Sequence, residues 1–227
     1  MNFEEQILFE DNHIIIINKK SGQIVQGDKT GDVPLVDEVK NYLKNKYNKP
    51  GNVFAGLVHR LDRPTSGIVI FAKTSKALSR LTQMLKKREI KKTYWAVIKK
   101  KNLPESQRLV HYLKKNEKNN KTIAYNHPFQ NAKEAILTYH IIKKSDHYQL
   151  LEINLETGRH HQIRAQLSAI ECPIKGDLKY GFERSNADGS IHLLARKIEF
   201  IHPVKKIKIF LEAPVPQNDN LWKSFQK

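Results

Sequence analysis

The chain has 227 residues, of which 39% are hydrophobic and 28% charged, a composition typical of a globular protein that can bury a sizeable core. The longest apolar runs, residues 14–17 and 68–72, are far shorter than the roughly 20 residues that span a bilayer, and the acidic N-terminus lacks the basic start of a secretory signal. A single cysteine, Cys172, excludes an intramolecular disulfide and a cysteine-based metal site. These features predict a cytoplasmic protein without a membrane span.

The charge is the most informative part of the composition. Forty lysine and arginine residues against 23 aspartate and glutamate residues give a formal net charge of +17. An excess of this size is the electrostatic signature of a nucleic-acid partner. A bias toward lysine and asparagine could also come from the nucleotide composition of a genome, without selection for binding. Charge alone leaves open whether the partner is RNA or DNA, and whether the protein is an enzyme or a passive binder.

The first hundred residues alternate strand and helix patterns. Short apolar runs or alternation with a period of two predict strands at residues 7–10, 13–18, 53–58, 67–73 and 92–98. The first two flank Asp11 and Asn12 and predict a hairpin. Helical periodicity begins at Pro34, which is placed at the first helical position. A second helix is indicated after Thr74 or Ser75, and either of these two residues can be its N-cap. The two apolar stripes are Leu35, Val39, Tyr42, Leu43 and Tyr47, and Leu78, Leu81 and Leu85.

The rest of the chain continues the mixed pattern. Residues 99–126, rich in Lys and Asn and without clear periodicity, predict a mobile insertion or a solvated face. A third helix is indicated after Gly158 by Ile163, Leu167 and Ile170, and Pro173 ends it. Further strands are predicted at residues 135–143, 148–155, 191–200 and 206–211. The expected fold is α+β, one continuous domain over residues 1–227 around a largely antiparallel central sheet flanked by helices and loops.

Residues 59–67 (HRLDRPTSG) form a polar insert between two apolar runs. Their one carboxylate, Asp62, has His59, Arg60 and Arg63 as neighbours, and nearby cations favour the ionised form of an acid. Asp62 is therefore a candidate nucleophile or base. The same residue types also form turns, in which an aspartate binds backbone N–H groups. Spacing alone leaves both interpretations open.

Residues 157–164 (TGRHHQIR) form a second polar cluster. If Ile163 faces the core, Arg164 beside it is partly buried and needs a carboxylate partner, for which Asp62 is the preferred candidate. The neighbouring His160 and His161 could suggest a metal ion. Adjacent residues point in different directions on a helix or strand, however, and neither a His-x3-His pattern nor clustered carboxylates accompany them. Contacts with RNA phosphates, or packing, are the favoured roles.

Residues 59–67 resemble the H-R-L-D-x-x-T-S-G motif of the RluA family of pseudouridine synthases, and residues 157–164 resemble its T-G-R-x-H-Q-I-R motif. Two shorter stretches match in the same order: residues 92–94 (KTY), and residues 173–177 (PIKGD) followed by Tyr180 and Gly181. The resemblance covers about residues 5–215. It implies a small single-domain member without the N-terminal S4 module, acting on ribosomal or transfer RNA.

This resemblance implies a reaction and roles for particular residues. Uridine becomes pseudouridine when the bond from N1 to C1′ breaks and the base is rejoined through C5, a change that requires neither cofactor nor metal. The implied catalytic residues are Asp62, Tyr94, which lies near the uracil ring and assists proton transfer, and Arg164, which pairs with the aspartate. The implied substrate-binding residues are Arg60, which can replace the extruded nucleotide, and Thr65, His161 and Ile163. Gln166 departs from the family, which more often has histidine there, and this departure puts a peripheral contact in doubt.

Two other functions are compatible with the same residues. A metal-dependent nuclease could use His59, Asp62, His160 and His161, and it would shorten RNA and be blocked by a chelator. A basic RNA-binding module would bind tightly without isomerising any uridine. The expectation from the resemblance is a monomer that binds a ribosomal or transfer RNA stem-loop and contacts neither a membrane nor a metal.

Overall fold

The computed structural model describes residues 3–28 and 30–226. The chain divides into two compact units, the first comprising Met1–Lys91 and Ala195–Pro214 and the second Lys92–Leu194 and Val215–Lys227. Strands and helices occur in both units, which confirms the predicted α+β class. One continuous domain over the whole chain stays a prediction. Within the described residues, no helix is long and apolar enough to cross a membrane.

The first unit is a largely antiparallel sheet with two helices. Its elements are β1 (Ile7–Glu10), β2 (Ile14–Lys19), α1 (Leu35–Lys46), β3 (Gly56–Leu57), β4 (Ser66–Ala72), α2 (Ser75–Lys86), most of β10 (Leu193–Ile201) and β11 (Lys208–Glu212). The strand order is β1-β2-β4-β10, with β3 on β4 and β11 on β10. The pairings of β1 with β2, β2 with β4, β3 with β4 and β10 with β11 are antiparallel.

Strand β2 forms the centre of this unit. Its isoleucines at 14–17 are all fully buried, and Ile17 pairs with Val69 of β4. Because both faces of the strand are covered, the sequence shows a continuous apolar run instead of alternation. The pairing continues to the end of β2, where Lys19 lies opposite Gly67. The ends of β2 and β4 thus meet next to residues 59–66.

Both predicted helices of this unit are confirmed. Thr74 is the N-cap of α2, and its hydroxyl accepts a hydrogen bond from the Ala77 N–H at 3.2 Å. Pro34 precedes α1 as its N-cap. The strand predicted at residues 53–58 is much shorter, because only the two residues of β3 pair with β4.

The second unit is a five-stranded sheet with a helix packed against it. Its elements are β5 (Lys91–Lys99), β6 (Ser106–Asn116), β7 (Lys121–Tyr125), β8 (Lys133–Lys144), β9 (Tyr148–Leu155), α3 (Gln162–Ala169) and α4 (Asn220–Ser224). The strand order is β5-β9-β8-β6-β7, and the pairings are antiparallel. Helix α4, capped by Asp219, was not among the sequence predictions.

For residues 99–126 the prediction of a solvated face is confirmed, because most of these residues are exposed, but the segment is regular structure and not an irregular insertion. Strand β6 pairs with β7 on one side and β8 on the other, so the segment is a hairpin inside the sheet. The buried positions of the hairpin occur at every second residue, as expected for strands with one face on the core. Two of these positions carry the polar side chains of His111 and Thr122. Those polar residues break the apolar period in the sequence, which is why the strands could not be recognised there.

Helix α3 begins as predicted but ends before Ile170. Glu171 adopts a left-handed conformation with φ +58°, and the Cys172 N–H binds the Leu167 carbonyl, so the helix stops ahead of Pro173. Gln166 is fully buried, and its amide nitrogen lies 3.3 and 3.1 Å from the carbonyl oxygens of Leu109 and Ala135. The residue that departs from the family pattern therefore joins α3 to β6 and β8 in the core.

We predict that Gly67→Ala destabilises the protein more than strain alone can explain. Gly67 has φ +111°, and a Cβ there would collide with the backbone of Ala195, whose nitrogen would be 2.7 Å away. Left-handed strain and overpacking together should lower the free energy of unfolding by about 2–5 kcal/mol, measured by urea denaturation.

Gly31→Ala is the matched control, because Gly31 has φ +79° in the same unit with nothing within 4 Å of the added Cβ. It should lose only about 1–2 kcal/mol. Equal losses in the two variants would show that the close approach to Ala195 carries no cost.

Candidate active site

The loop that holds Asp62 leads from β3 into β4. The Asp62 carbonyl accepts a hydrogen bond from the Thr65 N–H at 3.0 Å, which closes a turn at this point. The main chain of Asp62 therefore takes part in the turn. The side chain is half-buried. Turn formation and a chemical role for the carboxylate are thus compatible in this loop.

The two arginines next to Asp62 bind residues of another loop. Arg60 is exposed and donates to Gln26 at 3.3 Å, while Arg63 forms an ion pair with Asp32. The expectation that both guanidinium groups surround the Asp62 carboxylate is therefore not supported by these contacts. Thr65 is 2% exposed, and among the described residues its hydroxyl oxygen has no hydrogen-bond partner.

Arg164 is held by a carboxylate that the sequence analysis did not single out. Its Nε and Nη2 donate to the two oxygens of Asp177 at 2.7 and 2.9 Å, and both residues are almost completely buried. A bidentate geometry of this kind fixes the plane of the guanidinium as well as its position. The Tyr180 ring lies against the same group, with its centroid 4.9 Å from Cζ. The predicted burial of Arg164 is confirmed, and Asp177 is a partner that sequence reasoning missed.

A chain of hydrogen bonds links the second motif to the β6–β7 hairpin. The Tyr180 hydroxyl lies 2.8 Å from His161 Nδ1 and accepts the Thr122 N–H at 2.8 Å. The Thr122 hydroxyl lies 2.8 Å from His160 Nδ1. Tyr180 therefore joins the start of α3, the hairpin and Arg164.

The paired histidines do not point apart as predicted. His161 precedes α3 in a left-handed conformation with φ +51°, outside both helix and strand geometry. The two imidazole rings consequently stack, with centroids 3.8 Å apart. Among the residues that the structure describes, no three His, Cys, Asp or Glu side chains are grouped so that they could hold a metal ion.

The electrostatic environment keeps His161 neutral. Burial, followed by the positive charges of Arg164 and other nearby cations, lowers the pKa of His161 to about 2. A neutral ring can exchange hydrogen bonds with the Tyr180 hydroxyl, but it attracts a phosphate much less than an imidazolium would. Lysines supply the positive charge instead, among them Lys121, whose ammonium lies 5.2 Å from the centre of the Tyr180 ring.

The remaining predicted residues are distributed over both units. Tyr94 lies on β5 opposite Ile153, and it is buried, as is Ile163 in the first turn of α3. These two belong to the second unit with His161 and Arg164, whereas Asp62, Arg60 and Thr65 belong to the first.

Asp177, Tyr180 and Thr122 are the residues that sequence reasoning missed. The first two lie within stretches that match the family, which was the available signal, but no role was assigned to them. Thr122 lies in a segment expected to be irregular, so nothing in the sequence marked it.

Comparison with known proteins defines the class of this chain as an RNA-modifying isomerase. The profile of the family described as RNA pseudouridylate synthase matches residues 13–169, a span that includes both long motifs. Ribosomal large subunit pseudouridine synthase C of Buchnera aphidicola subsp. Baizongia pistaciae is 34% identical over 222 residues, which cover 94% of this chain and 68% of that protein. Ribosomal large subunit pseudouridine synthase D of Nitrosomonas europaea is 33% identical, with 94% and 62% covered.

The fold has a counterpart among solved structures. The structure titled Human RNA Pseudouridylate Synthase Domain Containing 4 superposes with a TM-score of 0.78 at 22% identity, covering 95% of this chain and 90% of that chain. The chain spans about two thirds of the length of the two bacterial relatives. It belongs to the RNA pseudouridylate synthase family, the isomerases that convert uridine to pseudouridine in RNA.

We predict that Arg164→Met is strongly destabilising. The substitution leaves the Asp177 carboxylate, 1% exposed, without its bidentate partner. Breaking a buried pair from one side should lower the free energy of unfolding by about 3–5 kcal/mol, measured by urea denaturation.

Two controls separate this effect from a general loss of an arginine. Arg108→Met in the same unit removes an exposed pair with Glu156 and should cost less than about 1 kcal/mol. Adding Asp177→Leu to Arg164→Met should recover part of the loss, because no buried charge is then left unpaired. Wild-type stability of Arg164→Met alone would contradict the structural role of the pair.

Proposed function

We propose that this protein isomerises particular uridines in structured ribosomal or transfer RNA by an aspartate-dependent mechanism without a cofactor. The observation that carries the proposal is the family match over residues 13–169. This span contains Asp62, Tyr94 and Arg164, to which the resemblance gives catalytic roles. The relatives are named as synthases of the ribosomal large subunit, which favours ribosomal RNA as the substrate. Action as a cytoplasmic monomer stays a prediction.

The reaction conserves every atom of the nucleotide. The bond from N1 to C1′ breaks, a bond from C5 to C1′ forms, C5 loses a proton and N1 gains one. In this proposal the ionised Asp62 starts the reaction by attacking the sugar or the base, or by removing a proton from the sugar. All three routes need a carboxylate at this position, so a neutral amide of the same shape should not support any of them.

Tyr94 and Arg164 are proposed to act on the same nucleotide as Asp62. A mostly buried tyrosine offers an aromatic surface for the uracil ring and a hydroxyl for proton transfer. Arg164 is suited to a fixed electrostatic role because Asp177 and Tyr180 hold its guanidinium before any substrate is bound. Both roles follow from the family resemblance, and these contacts support them.

Access to the target requires the nucleotide to leave its stack. Flipping a base out costs a few kcal/mol, which binding energy from the basic surface must supply. We propose that exposed Arg60 takes the place of the extruded nucleotide, with Thr65, His161 and Ile163 near the substrate. Thr65 is almost completely buried, which favours a packing role over a direct polar contact with the nucleotide.

Asp62→Asn should abolish pseudouridine formation while RNA affinity stays within about twofold of wild type, because the shape is kept and only the reactive charge is lost. The measurement is single-turnover modification of ribosomal and transfer RNA taken from cells that lack this protein, with modified uridines mapped by position.

Tyr94→Phe in the same assay should bind RNA normally and turn over slowly.

Asp37→Asn is the control, since Asp37 lies on α1 and forms an exposed pair with Lys40. It should leave the rate unchanged. Substantial turnover by Asp62→Asn would overturn the catalytic assignment. Tight binding by wild type with no modified uridine would favour the RNA-binding module, and chelator-sensitive shortening of RNA would favour the nuclease.

The logarithm of the RNA association constant should fall roughly linearly with the logarithm of the salt concentration. The slope should be about −0.7 for each phosphate that is neutralised on single-stranded RNA. Lysines at residues 99–101 and 114–115 form two basic clusters. Some of them are already paired with glutamates, so phosphates must compete for them: Lys99 with Glu183, Lys101 with Glu171 and Lys115 with Glu117. The measurement is a binding titration at several salt concentrations. A flat response would mean that the net charge reflects composition alone.

A further inference from the structure

A fully buried lysine lies directly beneath the loop that carries Asp62. Lys19 is the last residue of β2, with none of its surface exposed. Its ammonium donates to the carbonyl oxygens of Lys20 at 2.9 Å, Arg63 at 3.1 Å and Thr65 at 2.6 Å. An ammonium has three N–H donors, so these three acceptors can engage all of them.

The two residues after Lys20 bind the same loop. The Ser21 hydroxyl donates to the Pro64 carbonyl at 3.0 Å, and the Gly22 N–H donates to the Arg63 carbonyl at 2.9 Å. All three carbonyls that follow Asp62 in the chain are therefore bound by residues 19–22. Because this loop lies outside the strands, its backbone depends on such contacts for a defined position.

Burying a lysine side chain at this position costs free energy. Burial lowers the pKa of Lys19 to about 7, an effect that the charge of Asp62 opposes and that of Arg63 increases. Methionine would fill a similar volume without the cost of burying a charge. Lys73, also buried in this unit, has the Glu10 carboxylate as its partner at 2.7 Å. The hydrogen bonds of Lys19, by contrast, all go to backbone carbonyls.

We propose that Lys19 is a positioning residue for the reaction: by binding the backbone at residues 63–65, it sets the direction of the Asp62 carboxylate toward the nucleotide. Ser21 assists through Pro64. This inference rests on the catalytic role proposed for Asp62. It assigns to the end of β2 a contribution to the chemical step and none to RNA affinity, because Lys19 has no exposed surface to offer to RNA.

The test compares binding with chemistry in four variants of the full chain. Lys19→Met should keep RNA affinity within about twofold but lower the single-turnover rate at saturating RNA by about 10- to 100-fold, as expected when a reacting group is displaced by about 1 Å. Ser21→Ala, which removes one neutral hydrogen bond and no buried charge, should lower the rate by a smaller factor. Lys73→Met is the matched control for loss of a buried lysine and should keep the wild-type rate. Asp62→Asn reports on the proposed function itself.

The possible results are distinguishable. Wild-type rates for Lys19→Met and Ser21→Ala, with Asp62→Asn inactive, would overturn the positioning role and leave the proposed function intact. An equal loss of rate in Lys73→Met would also overturn it, because the effect would then belong to any buried lysine. If Lys19→Met does not fold, Ser21→Ala decides: a lower rate at unchanged affinity supports the role, and an unchanged rate contradicts it. Turnover by Asp62→Asn would remove both proposals together.

Discussion

The buried pair of Arg164 and Asp177 is the interaction on which the second unit's part of the site depends. A guanidinium this deeply buried is tolerated only with a bidentate partner, so the turn that carries Asp177 must lie against the first turn of α3. Tyr180 follows that turn, and its ring lies against Arg164 while its hydroxyl binds Thr122 and His161. One ion pair therefore determines where the helix, the turn and the hairpin meet.

In the first unit, a buried charged group also holds a loop in place, but the partners of that group are different. The loop at residues 59–65 has little regular structure, and the group that holds it is a buried ammonium directed at carbonyl oxygens. Backbone acceptors do not neutralise a charge as a carboxylate does, which explains why burial lowers the pKa of Lys19 so far. The advantage of this arrangement is geometric, since three donors on one atom can fix several points of a loop simultaneously.

Family membership and the structure address different parts of the function. The family match identifies the reaction, and the contacts explain how individual groups are prepared for it. His161 is an example: its neutral ring belongs to a hydrogen-bond network that supports Arg164, while lysines carry the positive charge that RNA requires. Selection of a particular uridine depends on the RNA surface, which differs among proteins that share this fold.

The sequence by itself determined the elements whose signals are local. Four consecutive isoleucines predicted β2, Thr74 predicted the start of α2, and residues 59–67 and 157–164 identified the family together with Asp62 and Arg164. These features depend on side-chain periodicity, on capping chemistry or on motif identity, and each can be recognised within a few residues.

Only the tertiary structure decided which distant residues meet. The hairpin of β6 and β7 was not recognised because its inward positions include His111 and Thr122, which are compatible with burial only once partners from other elements bind them. Sequence reasoning preferred Asp62 as the carboxylate that satisfies the charge of Arg164, a pairing that stays a prediction, and it did not single out Asp177. Asp177 binds Arg164 because packing of the turn after Pro173 brings it within 3 Å of the guanidinium. Burial makes a partner necessary, but only the folded chain specifies which one it is.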